Sequence, residues 1–447
     1  MSHKCLLHVV LRAALCAVVT LAFVSPASAI PAFARKYSLR CTACHEAWPV
    51  LNDFGRSFRD NGYQLRLGRD DTVTAEPGYW PVAVHVAPLY VYKSVTNQPT
   101  DQGAKAIGSG GIVDASMDLL MAGVLTKNIS FLVVPTGFAS DGNVHLESYW
   151  AYFSRVIRNS DWLNIRVGQF EVDLPASSHR VLALSDSYLV YGYHPLTPTG
   201  GGVSAYDMGE NQRGIEFLGH DEASLTRYSF TVFSAHDSVT GSKHALNSPS
   251  FYGHLQKYFR FNEGPVSQAE VGAWGAHANY PTTFLTSTTG LVTVPIPNTG
   301  ANLQASSRYG VEANLWLGPL VAPLHLDLVY GHGSDKRELY LGAADRNATW
   351  NGGFLEAIWV PPADQLRWAI FGRYDMIRNQ DQPVIGTASD FNDQKQWTLG
   401  ARYTLAYSIR DEVAIHSEIS SLMTKGVGFA GLDQRVNSVV LGVDFVY

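Results

Sequence analysis

Apolar side chains alternate with polar or small ones along most of the chain, from about Pro81 to Tyr447. The alternation comes in segments of roughly nine to twelve residues, separated by Gly, Pro, Asn and Asp, and a period of two predicts strands. About sixteen strands are predicted, an even number as bacterial single-chain barrels require. They begin near Val82, Ile112, Ile129, His145, Trp162, Gly214, Arg227, Phe251, Val271, Arg308, Pro323, Gly353, Arg367, Trp397, Val413 and Val436.

The connections between these strands alternate in length. Short ones are predicted near 125–128, 156–161, 220–225, 318–321, 361–365 and 406–410, and long ones near 94–110, 171–213, 236–250, 279–307, 333–351, 378–394 and 422–435. Tight periplasmic turns and long outer loops are typical of outer-membrane barrels. We therefore predict an all-β fold, an antiparallel transmembrane β-barrel of the outer membrane with both termini on the periplasmic side. The 171–213 connection could fold inward or project outward.

Polar pairs at i, i+2 mark the strand faces that we expect to line the lumen. A barrel of this size is wide enough for water, so most of these residues are expected to be solvated and cross-paired. A specific role in metal capture, or as a ligand of a cofactor's metal, is the minority alternative. The pairs are Asn164 and Arg166, Glu312 and Asn314, His325 and Asp327, Arg373 and Asp375, and His416 and Glu418.

The first 29 residues have the pattern of a secretory signal peptide. Lys4 and Arg12 precede an apolar run from about Ala13 to Val24, and Ser25-Pro-Ala-Ser-Ala29 offers a cleavage site after Ala29. The apolar run is too short to span a bilayer. With no longer apolar stretch elsewhere, the sequence argues against an α-helical membrane protein.

Charge and hydropathy agree with a barrel. The net charge of −6 becomes −8 once the two basic residues Lys4 and Arg12 are removed, which excludes a basic nucleic-acid binder. Aromatic residues make up 12% of the chain and charged residues only 16%, while mean hydropathy is −0.04. The mean hydropathy of a transmembrane barrel is close to that of a soluble protein, because its apolar outward residues alternate with polar inward ones.

The chemistry of the sequence is concentrated in Cys41-Thr-Ala-Cys-His45. The other cysteines, Cys5 and Cys16, lie in the signal peptide. C-x-x-C-H is the attachment motif of c-type haem, in which Cys41 and Cys44 would form thioethers and His45 would ligate the iron. The alternatives are a chance match, or a redox-active cysteine pair with a bystander histidine.

The motif lies in a short segment from Ile30 to about Asp71. Leu51, Phe54 and Phe58 recur at helical spacing, and Asn61-Gly62 would end that helix. A segment of about forty residues cannot build its own core. Residues 30–71 are therefore predicted to be a monohaem cytochrome segment that leans on the 81–447 barrel, as a plug for it.

The sixth haem ligand is harder to assign, because no Met lies in this segment. The nearest histidine is His85, which faces inward if Val82, Val84 and Val86 face lipid. We take His85 as the distal-ligand candidate, with His145, His325 and His416 as further inward histidines.

Three parts of the segment carry a family resemblance: Ile30-Pro-Ala-Phe-Ala-Arg35, Cys41-x-x-Cys-His45, and Pro49-x-Leu-Asn-x-Phe-Gly-Arg-x-Phe58 followed by Gly62-Tyr63. The chain resembles the monohaem cytochrome–porin fusions of the outer membrane, best known as iron oxidases of Fe(II)-oxidising bacteria. The resemblance implies one haem c on Cys41 and Cys44, His45 as proximal ligand, and a cytochrome in or beneath the barrel. Lys36-Tyr-Ser-Leu-Arg40 and Glu46-Ala-Trp48 depart from the family pattern.

The functional prediction is an outer-membrane electron conduit. The resemblance implies electrons from extracellular Fe(II), or another redox donor, through the haem to a periplasmic cytochrome. Such an electron-transfer oxidoreductase needs no acid or base catalytic residue, and no nucleic acid is expected as a partner beside the outer-membrane lipid. The alternatives are a conduit that runs outward to extracellular acceptors, and a passive diffusion porin gated by the haem segment.

Overall fold

Sixteen antiparallel strands close into one barrel, which confirms the predicted fold class. The structure is a computed structural model that describes residues 32–65, 70–75, 81–137, 144–157, 160–185, 187–197, 207–221, 224–234, 249–281, 303–318, 323–340, 344–361, 367–407 and 412–446. The predicted signal peptide, residues 1–29, lies outside the described residues. The barrel strands are β3 (Val82–Thr100), β4 (Gly103–Thr126), β5 (Ile129–Gly137), β6 (Val144–Phe153), β7 (Asn164–Phe170), β8 (Gln212–Asp221), β9 (Thr226–Ser234), β10 (Ser250–Arg260), β11 (Val266–Pro281), β12 (Leu303–Leu317), β13 (Leu324–Asp335), β14 (Ala348–Trp359), β15 (Trp368–Asp381), β16 (Gln394–Tyr407), β17 (Glu412–Thr424) and β18 (Gln434–Val446).

The barrel closes where the last strand pairs with the first. Val440 of β18 lies opposite Val91 of β3, in antiparallel register. We call the end with the short connections and the two chain termini the turn end, and the opposite one the loop end. All sixteen predicted segments correspond to strands.

One predicted connection is wrong. The 94–110 region is not a loop, because β3 continues to Thr100 and β4 begins at Gly103, with only Asp101 and Gln102 between them. Its glycines make room for tyrosines on the neighbouring strand: a Cβ on Gly108 would lie 2.5 Å from the Tyr92 hydroxyl. Glycine-rich sequence therefore marks side-chain packing here rather than a turn.

The helices of the described chain are short. They are α1 (Ala32–Tyr37), α2 (Cys41–Cys44), α3 (Asp53–Asp60) and α4 (Leu189–Gly192), with a small hairpin of β1 (His45–Ala47) and β2 (Val50–Leu51), and 3₁₀ turns at Arg337–Leu339 and Phe429–Gly431. Among the described residues, no helix is long and apolar enough to cross a membrane. Helix α3 contains Phe54 and Phe58 of the predicted helix, whereas Leu51 lies in strand β2 instead. Gly62 follows α3 at a φ of 68°, the left-handed conformation that favours glycine.

The two faces of the barrel wall differ sharply. On β13, Leu328 and Tyr330 are about half exposed on the outside, whereas Asp327 and Val329, which alternate with them, face inward and are 7% and 1% exposed. The inward pairs predicted from sequence do face the lumen, but the prediction that water solvates them is wrong. Glu312, Arg373 and His416 are at most 4% exposed, because other parts of the chain occupy the lumen.

One occupant of the lumen is the connection between β7 and β8. Its described residues 171–197, which we call the inward segment, fold into the barrel rather than away from it. The Tyr188 hydroxyl donates to Glu356 Oε2 at 2.7 Å, and the Leu184 amide donates to Glu418 Oε2 at 2.7 Å. The inward segment therefore crosses from β14 to β17 and supplies partners for charges on the inner wall.

The other occupant is the N-terminal segment, residues 32–65, which we call the plug. Its contacts lie on inward residues near the turn end of the barrel. Glu46 accepts from Trp316 Nε1 at 2.9 Å and lies 3.2 Å from His325 Nδ1. Three strands along the wall from Trp316, Asp60 of α3 meets Arg227 of β9.

The Asp60 contact joins all three parts of the molecule. Arg227 Nε donates to Asp60 at 2.6 Å, and the same guanidinium pairs with Asp173 of the inward segment. Burial alone would raise the pKa of Asp60, but Arg227 and Arg59 outweigh it and lower the pKa to about 2. The carboxylate therefore stays charged at any pH above that value.

Replacing Asp60 should loosen the plug. In Asp60→Asn, the buried Arg227 loses one of its two carboxylates, and breaking a buried ion pair costs about 3 kcal/mol or more. The population of undocked plug should rise roughly a hundredfold, measured as faster proteolysis within residues 32–65 of the folded barrel. Asp53→Asn on the same helix is the control, because the Asp53 side chain is 49% exposed in its pair with Arg56, which contributes about 1 kcal/mol or less. The bond that Asp53 accepts from Gln268 Nε2 can be kept by the amide oxygen of Asn. Equal protection of both variants would contradict the assignment.

Candidate functional site

The C-x-x-C-H motif forms one helical turn, α2, that is fastened to α3 by a single residue. The Asn52 side chain donates to the carbonyls of Thr42 at 3.3 Å and Ala43 at 3.1 Å, and its backbone amide donates to the Cys44 carbonyl at 3.0 Å. Asn52 also caps α3, since its Oδ1 accepts from the Gly55 amide at 2.9 Å. Sequence reasoning assigned Asn52 no role, although Asn52 belongs to the motif from Pro49 to Phe58 that carries the resemblance.

Gly55 allows α3 to approach the motif. A Cβ at this position would lie 2.0 Å from the carbonyl oxygen of Cys44, so any other residue would push the helix away. Glycine is required at position 55 because the two backbones approach closely, and not because the residue adopts an unusual φ. Asn52 and Gly55 together hold the two cysteines and His45 in one rigid unit.

The ring of His45 is oriented by its own loop. Nδ1 lies 3.1 Å from the Pro49 carbonyl, so this nitrogen carries the proton and Nε2 keeps the lone pair. A metal-ligating histidine usually donates its other N–H to a carbonyl or carboxylate in this way. Burial lowers the pKa of His45 to about 4, so the imidazole is neutral near pH 7.

Cys41, Cys44 and His45 line a cavity of about 730 Å³ between the plug and the barrel wall. A volume of this size is in the range of cofactor sites. Rings from the plug and the wall surround it, among them Phe58, Tyr63 and Trp150, and Tyr63 stacks on Trp150 with centroids 5.7 Å apart. Both cysteines are free thiols. Burial raises the pKa of Cys41 to about 12, with a further rise from Glu412, and burial raises that of Cys44 to about 11.

The cavity also carries charged groups. The guanidinium groups of Arg40, Arg180 and Arg402 lie along it. Arg402 is already engaged, because its Nη2 donates to Asp444 Oδ2 at 2.9 Å. Arg180 lies 3.6 Å from Glu171 and keeps 32% of its side chain exposed.

His85 faces the lumen as predicted and lies beside the motif. Its ring centroid is 6.0 Å from that of Trp48, and it lines the cavity. Both ring nitrogens already have carboxylate partners, with Nδ1 3.0 Å from Asp118 Oδ2 and Nε2 2.8 Å from Asp444 Oδ1. The distal-ligand role of His85 stays a prediction.

The other candidate histidines are spread around the wall. His325 sits between Glu46 and Asp327, and His416 pairs with Glu418 at the edge of the cavity. His145 is exposed at the start of β6, near the loop end. One histidine that sequence reasoning missed, His179 of the inward segment, lines the cavity. Only the fold of that segment brings it there.

An aromatic column continues from the cavity towards the loop end. Ser187 lines the cavity, and the ring of the next residue, Tyr188, stacks on Phe354 at 4.1 Å. Tyr191 lies 5.6 Å from Tyr188 and 6.3 Å from Trp274, and Tyr193 lies 5.2 Å from Trp350, from centroid to centroid. All are at most 4% exposed. The column consists of two groups of rings, Tyr188, Phe354, Tyr191 and Trp274, and the pair Tyr193 and Trp350.

The sequence has no match among protein-family models or curated proteins. Several solved structures are similar in fold. An anion-selective porin from Comamonas acidovorans has 14% identity and a TM-score of 0.47, over 82% of this chain and 98% of the porin. The outer membrane channel DcaP of Acinetobacter baumannii has 11% identity and a TM-score of 0.48, over 82% and 97%. OprB of Pseudomonas putida has 10% identity and a TM-score of 0.46, over 81% and 94%. Identities this low carry no information on what the chain binds.

The described residues form no cluster of three or more His, Cys, Asp or Glu side chains that could hold a metal ion. A preformed cage for Fe(II) is therefore not found in the part of the barrel that the structure describes. The candidate site is the cavity beside Cys41, Cys44 and His45.

The two thiols should be required for covalent haem. The full chain, exported from a host that matures c-type cytochromes, should gain the mass of one haem by intact mass spectrometry. The Cys41→Ala/Cys44→Ala double variant should lose that mass and still give the heat-modifiable gel band of a folded barrel. A wild-type chain without the added mass, isolated beside a correctly loaded reference cytochrome, would contradict the haem assignment.

Proposed function

We propose that this chain is a haem-carrying electron conduit of the outer membrane. The observation that carries the proposal is the arrangement at the cavity: two free thiols and a histidine, oriented through Nδ1 by the Pro49 carbonyl, beside about 730 Å³ of mostly apolar space. These residues fit a haem c held by Cys41 and Cys44 with His45 as axial ligand. When bound, the haem supplies a one-electron couple.

The remaining residues of the site hold this unit in place. Asn52 and Gly55 fix the motif on α3, and Glu46 and Asp60 attach the plug to two separate parts of the wall. Arg180 has the exposure to pair with a propionate. The plug thereby fixes its two thiols and His45 at the turn end of the barrel.

In this proposal the barrel spans the membrane. The apolar outer face suits lipid, and the even strand number puts both termini, and the plug with them, on the periplasmic side. In the working direction, one Fe(II) ion gives up one electron at the loop end and leaves as Fe(III). The same electron leaves at the turn end to an oxidised periplasmic cytochrome, so charge balances without proton transfer.

The aromatic column supports a route between the two ends. Electron tunnelling through a protein decays exponentially with distance, so closely spaced conjugated rings favour it over the same length of aliphatic packing. Tyr188 and Phe354 stand at mid-height next to the cavity, and Trp350 is the third residue of β14, at the loop end. The two groups of the column thus lie between the cavity and the loop end.

A passive diffusion porin gated by the plug is the second candidate. The closed sixteen-stranded barrel favours it. The lumen argues for the conduit, because wall residues such as Glu312, Asp375 and Glu418 are at most 4% exposed, whereas the walls of a water-filled pore are wet. Outward electron flow uses the same parts and differs only in the potentials of donor and acceptor.

Anaerobic stopped-flow mixing of the holoprotein in vesicles with Fe(II) tests the proposal. Fe(II) outside should give a reduced c-type spectrum at a rate that saturates with Fe(II). Haem that stays oxidised with Fe(II) but reduces with dithionite would overturn Fe(II) as donor. Single-channel conductance in planar bilayers is the companion measurement, and steady porin-like conductance without haem reduction would favour the porin.

The aromatic column gives a second test. Tyr191→Leu removes the ring between Tyr188 and Trp274, and we expect Fe(II)-driven haem reduction to slow several-fold while reduction by dithionite stays unchanged. Tyr340→Leu is the matched control, because Tyr340 is equally buried at 2% but stands outside the column. Equal rates in the two variants would remove the column from the route.

A further inference from the structure

The haem cavity offers few atoms that could serve as a second axial ligand. Iron in a haem c takes an imidazole nitrogen or a thioether sulfur opposite its proximal histidine. Among the described residues that line the cavity there is no Met or Lys, and besides His45 there are three histidines, His85, His179 and His416. The choice among these three rests on the proposed function, because it presumes a haem at Cys41 and Cys44.

Two of the three are held by the wall. Each nitrogen of His85 contacts a carboxylate oxygen, at 3.0 Å and 2.8 Å, and one of those carboxylates, Asp444, is itself fixed by Arg402. His416 has its Nε2 3.2 Å from Glu418 and only 3% of its side chain exposed. Ligation by His85 would require breaking one of these contacts, and the ring of His416 is enclosed by the wall.

His179 differs from both. Its side chain keeps 30% of its surface exposed inside the barrel, against 19% for His85. Its Nδ1 lies 3.2 Å from Glu147 Oε1, and this is its one hydrogen-bonded ring nitrogen within the described ranges. Glu147 is fixed in turn, because Thr136 donates to its other oxygen at 2.8 Å.

The backbone around His179 is also anchored. The amides of Ser178 and His179 donate to Glu171 Oε1 at 2.5 Å and 3.3 Å, which holds the turn that carries the ring. A carboxylate on Nδ1 with the opposite nitrogen towards the metal is the usual outer-shell arrangement of metal-bound histidines. We infer that His179 is the second axial ligand of the haem and that Glu147 is its positioning residue.

This assignment joins the outer parts of the chain to the cytochrome. His179 belongs to the connection between β7 and β8, which starts and ends at the loop end, and Tyr188 of the aromatic column lies nine residues further along the same segment. Ligation through His179 would tie the inward segment to the plug across the haem. Two imidazole ligands also give a lower reduction potential than a His/Met pair.

Electron paramagnetic resonance and near-infrared magnetic circular dichroism of the ferric holoprotein test the inference. The wild type should show a low-spin haem with two nitrogen ligands. His179→Ala should lose that signal in favour of high-spin haem, and added imidazole should restore it. His179→Met should instead give the signature and the raised potential of a His/Met haem.

A control variant and four contradicting outcomes make the result decisive. His277→Ala, on the outer face beside Ser307, is the matched control and should keep the wild-type spectrum. A low-spin, wild-type spectrum in His179→Ala would overturn the inference, as would loss of that spectrum in His85→Gln or a high-spin wild type. A wild-type chain without haem would overturn the proposed function together with the inference. A wild-type chain that carries haem but lacks the His179-dependent spectrum would overturn the inference alone.

Discussion

The structure depends on how the charges of the inner wall are satisfied. Closing sixteen strands turns one residue in two inward, and many of these are Asp, Glu, Arg or His. Water usually satisfies such groups in a wide barrel, but here most are buried, and a buried charge without a partner costs several kcal/mol. The plug and the inward segment meet this need, since Arg227 of the wall binds Asp60 of one and Asp173 of the other.

The same requirement fixes where the C-x-x-C-H motif lies. A segment of about forty residues is too small to hold its own shape, so its position follows from its contacts with the wall. Glu46, next to His45, reaches Trp316 and His325, while Asp60 reaches β9 on another part of the barrel. Glu46 therefore has a structural role in this chain, as a contact between the plug and the wall. The docked plug and the inward segment then enclose the cavity between them.

The aromatic column shows how lumen filling and the proposed electron route use the same residues. Tyr188 packs on Phe354 and donates to Glu356, which satisfies a wall carboxylate and places a ring next to the cavity. Tyr193 packs on Trp350 and bonds Asn379. The segment that occupies the lumen is therefore also the one that would carry electrons in the proposed conduit.

The sequence alone determined the strand number, the inward and outward faces, helix α3, and the residues predicted to attach a haem. These features are local, because alternation, helical spacing and a five-residue motif are each contained within a few neighbouring positions.

Sequence reasoning misread 94–110 as a loop, since glycine signals both turns and close packing. It left the direction of the 171–213 connection open and placed the lumen residues in water. Which side chains meet inside the barrel was decided only by closure, which sets His85 against Asp444, 359 positions away, and brings His179 to the cavity. Such contacts depend on register and on the fold of the inward segment, and no local pattern encodes either.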